Sequence, residues 1–315
     1  MVWVAAHCAI IATGVALVAR IEIGWVWLAV AMISGHSMAC LGFLAHELSH
    51  NAIVRIPWMR YLLELLTWSV MLVPATVWRA VHNDIHHRGP NTPADPDRKP
   101  AKSEMDRLDR WYFGLFFPHA GNLRFNPLIG IEFVPYILRV TLALLLGNGK
   151  RLPTLPAALE SRPDARRRIC GELAFMLLLQ GLALVALDGS FVKLVFATLL
   201  PVGFGSCVAM LYLFTNHSLR PHQTENDPLA ASTSLAVPRW MDCLHSNFSY
   251  HTEHHLFPTL RSRYYPLVSK TLSQRYPHLY HSVSLTEAWR MLFAGPLHQP
   301  DPLLNPPPGF RQNST

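Results

Sequence analysis

Three histidine clusters carry the chemistry that this sequence can do. His46 and His50 lie in HELSH, His82, His86 and His87 in HNDIHH, and His251, His254 and His255 in HTEHH. One H-x-x-x-H pair is expected about once by chance in a chain so rich in histidine, whereas H-x-x-x-H-H and H-x-x-H-H are each expected roughly 0.05 times. On a helix, residues three or four apart share a face. His46 with His50, His82 with His86, and His251 with His254 and His255 can therefore point one way. Adjacent residues diverge by about 100°, so the pairs His86-His87 and His254-His255 serve two metal ions more naturally than one. A dinuclear centre is the expectation. Imidazole suits zinc, copper, iron and nickel, and a tetrahedral zinc would use only three or four ligands.

HELSH also fits H-E-x-x-H, in which two histidines bind zinc and the glutamate is the general base of a metalloprotease. That reading leaves the other two clusters unexplained. With two metals, Glu47 is expected instead to orient a ligand imidazole through its free N–H, as are Asp84, Glu253 and Asp242. The five cysteines form no C-x-x-C pair, so neither a disulfide framework nor a cysteine metal site is indicated.

The elements that must position these groups are membrane helices. The 315 residues are 50% hydrophobic and only 15% charged, against about 25% charged in soluble domains. An apolar run of about 20 residues crosses the hydrocarbon as a helix. Spans are expected at 2–19, 25–45, 171–187 and 191–215. The first has no basic leader and no small-residue cleavage site, so it reads as a span and not a signal peptide. The stretches 61–78 and 127–146 are ambiguous: the first carries Glu64 and Pro74, the second Glu132, Pro135 and Arg139.

Charge orients the bundle. With the turns around Arg20 and Asp188 outside, Arg20 and Lys193 are the only basic residues of 27 at or near that side, in line with the positive-inside bias. Arg162 to Arg168 then mark the inner face, with anionic headgroups as the natural neighbours of its arginines. The stretch 127–146 has inner polar segments on both sides, so it cannot cross once; it and 61–78 are expected to lie in the interface or to dip and return. Helices are expected near 265–276 and 285–293, the latter behind a Ser284–Glu287 capping box, and the proline-rich end is expected to be extended. The net charge of +7 belongs with a cytoplasmic membrane face; no nucleic acid is expected.

All eight cluster histidines can thus meet at one inner surface. His217 follows the fourth span and is a candidate ninth ligand. His36, about 15 Å deeper than His46 by helical rise, is a titratable group within a span and so a functional candidate, expected to line a substrate channel. His245 could bind metal or order Asn247. Trp3, Trp25, Trp27 and Trp78 fit an interfacial belt. A metal or haem carrier using the same histidines would need a polar path across the membrane, and the four spans contain few polar groups.

The three boxes, their order and their gaps resemble the membrane fatty acid desaturase family, which includes hydroxylases, ketolases and decarboxylases that form terminal alkenes. Asn83 within HNDIHH, the run Asn91-Thr92-Pro93-Ala94-Asp95-Pro96-Asp97 and Leu256-Phe257-Pro258 also follow family patterns. The resemblance spans roughly residues 25 to 275. It implies an all-α, four-span membrane bundle over 1–315, with interfacial helices and a cytoplasmic histidine-rich cap and tail at 216–315. It implies two non-haem irons held by the eight box histidines, molecular oxygen, membrane lipid and a fatty acyl substrate. Desaturation is the expected reaction, with hydroxylation or decarboxylation as alternatives. No His-Pro-Gly-Gly haem segment is present, so a separate ferredoxin- or cytochrome b5-type donor with its reductase is expected. The first box is short for the family, and the chain starts almost inside its first span, so either a polar N-terminal arm is missing or the start is incomplete.

Overall fold

The computed structural model describes residues 2–122, 126–146 and 163–298. Four helices are long and apolar enough to cross a membrane: α1 (Val2–Arg20), α2 (Gly24–Ser49), α8 (Pro163–Ala186) and α9 (Phe191–His217), the last with a π-turn at Val195–Leu199. Their outer sides are apolar: Leu177, Leu182 and Val185 of α8 are 72%, 58% and 76% exposed, a pattern suited to lipid and not to water.

The spans differ from their sequence bounds at the ends carrying chemistry. Polar HELSH ends the hydropathy run, yet α2 continues through it to Ser49, because that end is buried and its last turns pack as core. Likewise α9 runs to His217. Helix α8 starts at Pro163, taking Arg166, Arg167 and Arg168 into its first turns.

The turns α1–α2 and α8–α9 lie at one end of the bundle. Lys193 Nζ bonds Glu22 Oε1 at 2.5 Å and donates to Ala19 O at 3.2 Å. The α8–α9 turn needs left-handed backbone at Asp188 and Gly189, with φ of 52° and 72°, which the glycine supplies without a Cβ clash. At the crossing of α2 and α9, a Cβ on Gly35 would stand 2.6 Å from Pro201 O, so a side chain there would force the helices apart.

The ambiguous stretches form broken short helices: α3 (Pro57–Ser69) and α4 (Ala75–Trp78) with a following π-turn Arg79–Asn83, then α5 (Arg107–Phe116), α6 (Pro127–Gly130) and α7 (Phe133–Leu146). The 13 and 14 residues of α3 and α7 reach about 20 Å, short of a hydrocarbon core of about 30 Å. Two buried carboxylates lock them to the bundle. Glu64 of α3 forms an ion pair with Arg79, next to box two. Glu172 of α8 accepts from Tyr61 Oη (3.0 Å), Thr76 N (3.0 Å) and Thr76 Oγ1 (2.6 Å), capping α4.

The segment after α9 folds into α11 (Arg239–Leu244), α12 (His251–Leu256), α13 (Tyr265–Arg275) and α14 (Leu285–Ala294), Pro228–Ala231 forming the short turn α10. It is not wholly helical: β1 (Ser234–Ala236) pairs in parallel with β2 (Ser282–Ser284), Leu235 opposite Val283. Of the expected capping box, Ser284 Oγ accepts Glu287 N at 3.2 Å, while the Glu287 carboxylate pairs with Arg290 instead. The proline-rich end, 299–315, lies outside the described residues.

Candidate metal centre

Box one occupies the end of α2, with His46 in its last turn and His50 at its C-cap. Box two follows α4: His82 sits on the π-turn, and His86 and His87 open a 3-10 turn. Box three is α12 itself. Asn83 joins the first two, its Nδ2 donating to Ser49 O at 2.7 Å.

Nine histidines converge in two groups. His46, His50, His82, His87 and His254 form one; His86, His217, His251 and His255 form the other, and within each the donor atoms lie within 4.8 Å of one another. All but the half-buried His87 are buried. The adjacent pairs His86-His87 and His254-His255 are each divided between the groups, as the step of at least 100° between neighbours on a helical turn favours. His82 and His86, expected to point one way, are divided too, because they sit on a π-turn and a 3-10 turn and not on one α-helix, and His254 is parted from His251. The groups abut where His87 stacks on His255, centroids 4.3 Å apart.

The fit to metal rests on the nitrogens. Within the smaller group, Nε2 of His217 lies 2.6 Å from that of His251 and 3.1 Å from that of His255, which is 3.0 Å from His251. Within the larger, His46–His82, His82–His87 and His87–His254 stand at 2.9, 3.1 and 3.0 Å. Metal–nitrogen bonds of about 2.1 Å set neighbouring ligands about 3.0 Å apart and opposite ones about 4.2 Å. His86 Nδ1–H donates to Asp95 Oδ1 at 2.9 Å, and His217 Nδ1–H donates to Ala231 O at 2.8 Å, so the Nε2 of His217 is a bare lone pair. Asn216 Nδ2 sits 3.1 Å from His251 Nδ1 while its own Oδ1 is buried without a partner; a half rotation of this amide lets Oδ1 accept His251 Nδ1–H and bares that Nε2 as well. His50 Nε2 is buried without a partner too. Lone pairs converging at these distances repel unless a cation lies among them.

Burial, then the neighbouring imidazoles, holds His82, His87, His251, His254 and His255 well below the usual histidine range, in the neutral form that ligates. Burial pushes His50 down to about 3. His86 differs: burial lowers it, but Asp95, with Asp97 behind, outweighs that and raises it.

Glu47, Glu253 and Asp242, expected to orient imidazoles, make other contacts. Glu47 Oε2 accepts Ser262 N at 3.2 Å, pinning the loop before α13. Glu253 accepts Ser234 Oγ and Tyr280 Oη, both at 2.6 Å, tying α12 to the β1–β2 ribbon. Asp242 accepts the Ser249 hydroxyl, and Asp84 lines a separate cleft with Arg88 and Glu225. The orienting carboxylate is Asp95, in the Asn91–Asp97 run; its Oδ2 accepts Asn91 N at 2.8 Å, and Asn91 Nδ2 donates to His217 O at 3.0 Å. Tyr265 Oη stands 3.1 Å from His254 Nδ1. The sequence carried these residues without showing their contacts, which cross loops. Trp78 is not in an interfacial belt: it is 7% exposed and stacks on His82, centroids 4.7 Å apart.

His36 and His245 stand outside the nine-histidine cage. Their Nε2 atoms are 3.1 Å apart, Cys40 Sγ is 3.8 Å from His36 Nδ1, and Tyr212 Oη is 2.6 Å from His245 Nδ1. His36 thus staples α2 to the segment after α9, and does not line either chamber beside the metal centre. It also brings a cysteine into a group of three donors that cysteine spacing gave no sign of.

The larger chamber, about 740 Å³, is walled by His82, His86, His217 and His251 and by aromatic residues including Trp78 and Phe214. A second, apolar space of about 350 Å³ touches His46 and shares Trp78, Phe133 and Leu213 with it. Four candidate spans, buried histidine groups able to bind metal and an apolar chamber against them agree with the family comparison. The model of the family "Fatty acid desaturase" matches residues 23–286, most of the chain, and the protein therefore belongs to the fatty acid desaturase family.

Proposed function

We propose that the protein is an integral membrane, oxygen-dependent enzyme that oxidises a fatty acyl chain, with desaturation as its reaction. The observation that carries this reading is the convergence of nine imidazoles in two groups beside a largely apolar chamber, which His82, His86, His217 and His251 line. His46, His50, His82, His87 and His254 would hold one iron and His86, His217, His251 and His255 the other.

A saturated C–H bond offers no proton that a side-chain base can remove. The two irons would supply the oxygen-activating redox chemistry. The chain's own residues do the rest. Asp95, the Ala231 carbonyl and Tyr265 fix imidazole orientation; Trp78, Phe133, Leu213 and Phe214 exclude water and align the methylenes. The active site faces the cytoplasm on the charge argument, and electrons arrive from a separate ferredoxin- or cytochrome b5-type donor with its reductase. The metalloprotease reading is weakened by Glu47, whose carboxylate is engaged by Ser262 N and not turned to the histidines as a general base must be.

Cells expressing the protein, fed deuterated fatty acids, test this. New unsaturated products that vanish with His86→Ala and His254→Ala support it. Unchanged acyl profiles from iron-loaded, correctly inserted protein, supplied with a donor, would refute it.

A further inference from the structure

The larger chamber is lined by four charged side chains, and three are engaged. Arg98 grips Glu104, its Nη1 2.6 Å from Oε2. Glu132 accepts Tyr112 Oη at 2.7 Å, and Asp97 accepts the Tyr136 hydroxyl. Arg139 is the exception. Among the described residues it has no carboxylate within 4.0 Å, and its Nε is buried without a partner. It lies over the ring of Tyr112, 4.7 Å from the centroid. Tyr112 thus covers one face of the guanidinium and leaves the N–H edge open. A guanidinium presents five donors in a fixed fork that matches a carboxylate, and a partly desolvated cation without an anion is costly.

Resting on the reading of this protein as an acyl-chain oxidase, we infer that Arg139 binds the free carboxylate of the substrate acid. The tail then runs past both histidine groups into the smaller apolar space, and oxidation falls on the carbons nearest the carboxyl group.

The distances favour this placement. Tyr136, one turn before Arg139 on α7 and so about 4.5 Å along the axis, bonds Asp97, whose Oδ2 stands 3.7 Å from His86 Nδ1. Arg139 lines the same chamber as His82, His86, His217 and His251, so a carboxylate held about 2.8 Å from its guanidinium sets the carbons next to it nearest the histidine groups. The shared residues Trp78, Phe133 and Leu213 continue the path to His46. A single guanidinium in a chamber that Asp97 and Glu132 also line matches one carboxylate; a diphosphate-bearing coenzyme ester would meet those acids as like charges.

The test uses full-length, iron-loaded protein in lipid nanodiscs with a ferredoxin–reductase pair, given deuterated dodecanoic acid and its methyl ester. The expected products are altered at the carbons nearest the carboxyl group, or lack C1. Arg139→Gln raises KM for the acid about 10- to 100-fold, with a smaller change in kcat and none in the KM of the ester; Arg139→Lys falls between. The exposed Arg290→Gln serves as control. Calorimetric binding of dodecanoate to the same proteins judges the anchor even without turnover: loss of binding in Arg139→Gln supports it. Mid-chain products alone, or equal effects of Arg139→Gln on acid and ester, or undiminished dodecanoate binding, would overturn it. Acyl-chain oxidation at mid-chain would leave the proposed function standing while removing this inference.

Discussion

The two histidine groups are built differently. Three of the four rings in the smaller group have an outer partner on the nitrogen away from the cage: Asp95 for His86, the Ala231 carbonyl for His217 and the Asn216 amide for His251. In the five-membered group one does, Tyr265 at His254, and His46 Nδ1 is buried without a partner. That group is held by packing: His46 rides on the rigid end of α2, and His82 is clamped by Trp78. One site is thus oriented by hydrogen bonds from loops, the other by helix position and ring stacking. Each should fail in its own way.

The largest effect is expected from removing a ligand in either group. His86→Ala and His254→Ala should each lower turnover more than about 100-fold, measured as product per mole of inserted protein. Asp95→Asn comes next, at about 10- to 100-fold. It should reduce iron content from two equivalents toward one, since it unties the smaller group alone; Tyr265→Phe should lower turnover less and retain both. Equal losses in these two variants would erase the proposed contrast.

Glu64→Gln tests the packed group through its support. It leaves Arg79, which is 28% exposed, without its buried partner, and should cost on the order of 2 kcal/mol, less than for a fully buried pair. The readout is thermal unfolding in detergent, where Asp95→Asn should shift the midpoint less. The smallest effect is one of pH. Burial holds the Glu132 carboxyl up to about 7, opposed by the Tyr112 hydroxyl and the charge of Arg139. As pH rises through 7 it ionises and offsets Arg139, so KM for a free acid should rise a few-fold between pH 6 and 8 at about 1 kcal/mol of charge repulsion; Glu132→Gln should flatten the profile.

The same contrast explains what the sequence could show. Part of the grouping is written in the box spacing: His46 with His50 and His251 with His255, each four apart, share a group, whereas His82 and His86 fall in different groups because box two leaves the α-helix for a π-turn and a 3-10 turn, and His254 parts from His251. The four spans are local as well, and the split of His254-His255 between groups follows from α-helix geometry. The braces are not local. Asp95 reaches His86 through a loop, and Ala231 contributes a carbonyl, which no side-chain pattern encodes. The acids set beside ligands, Glu47 and Glu253, misled for the reason that made the pairs informative: a residue adjacent to a ligand points about 100° away from it. Three-residue strands are too short to show alternation, and the His36–His245 contact joins residues 209 positions apart.

Iron-edge anomalous diffraction from crystals of the iron-loaded protein tests the central claim most directly. Two peaks are expected, one ringed by His46, His50, His82, His87 and His254 and the other by His86, His217, His251 and His255, each about 2.1 Å from its nitrogens. A single peak, or a second one lying elsewhere, would contradict the two-metal account.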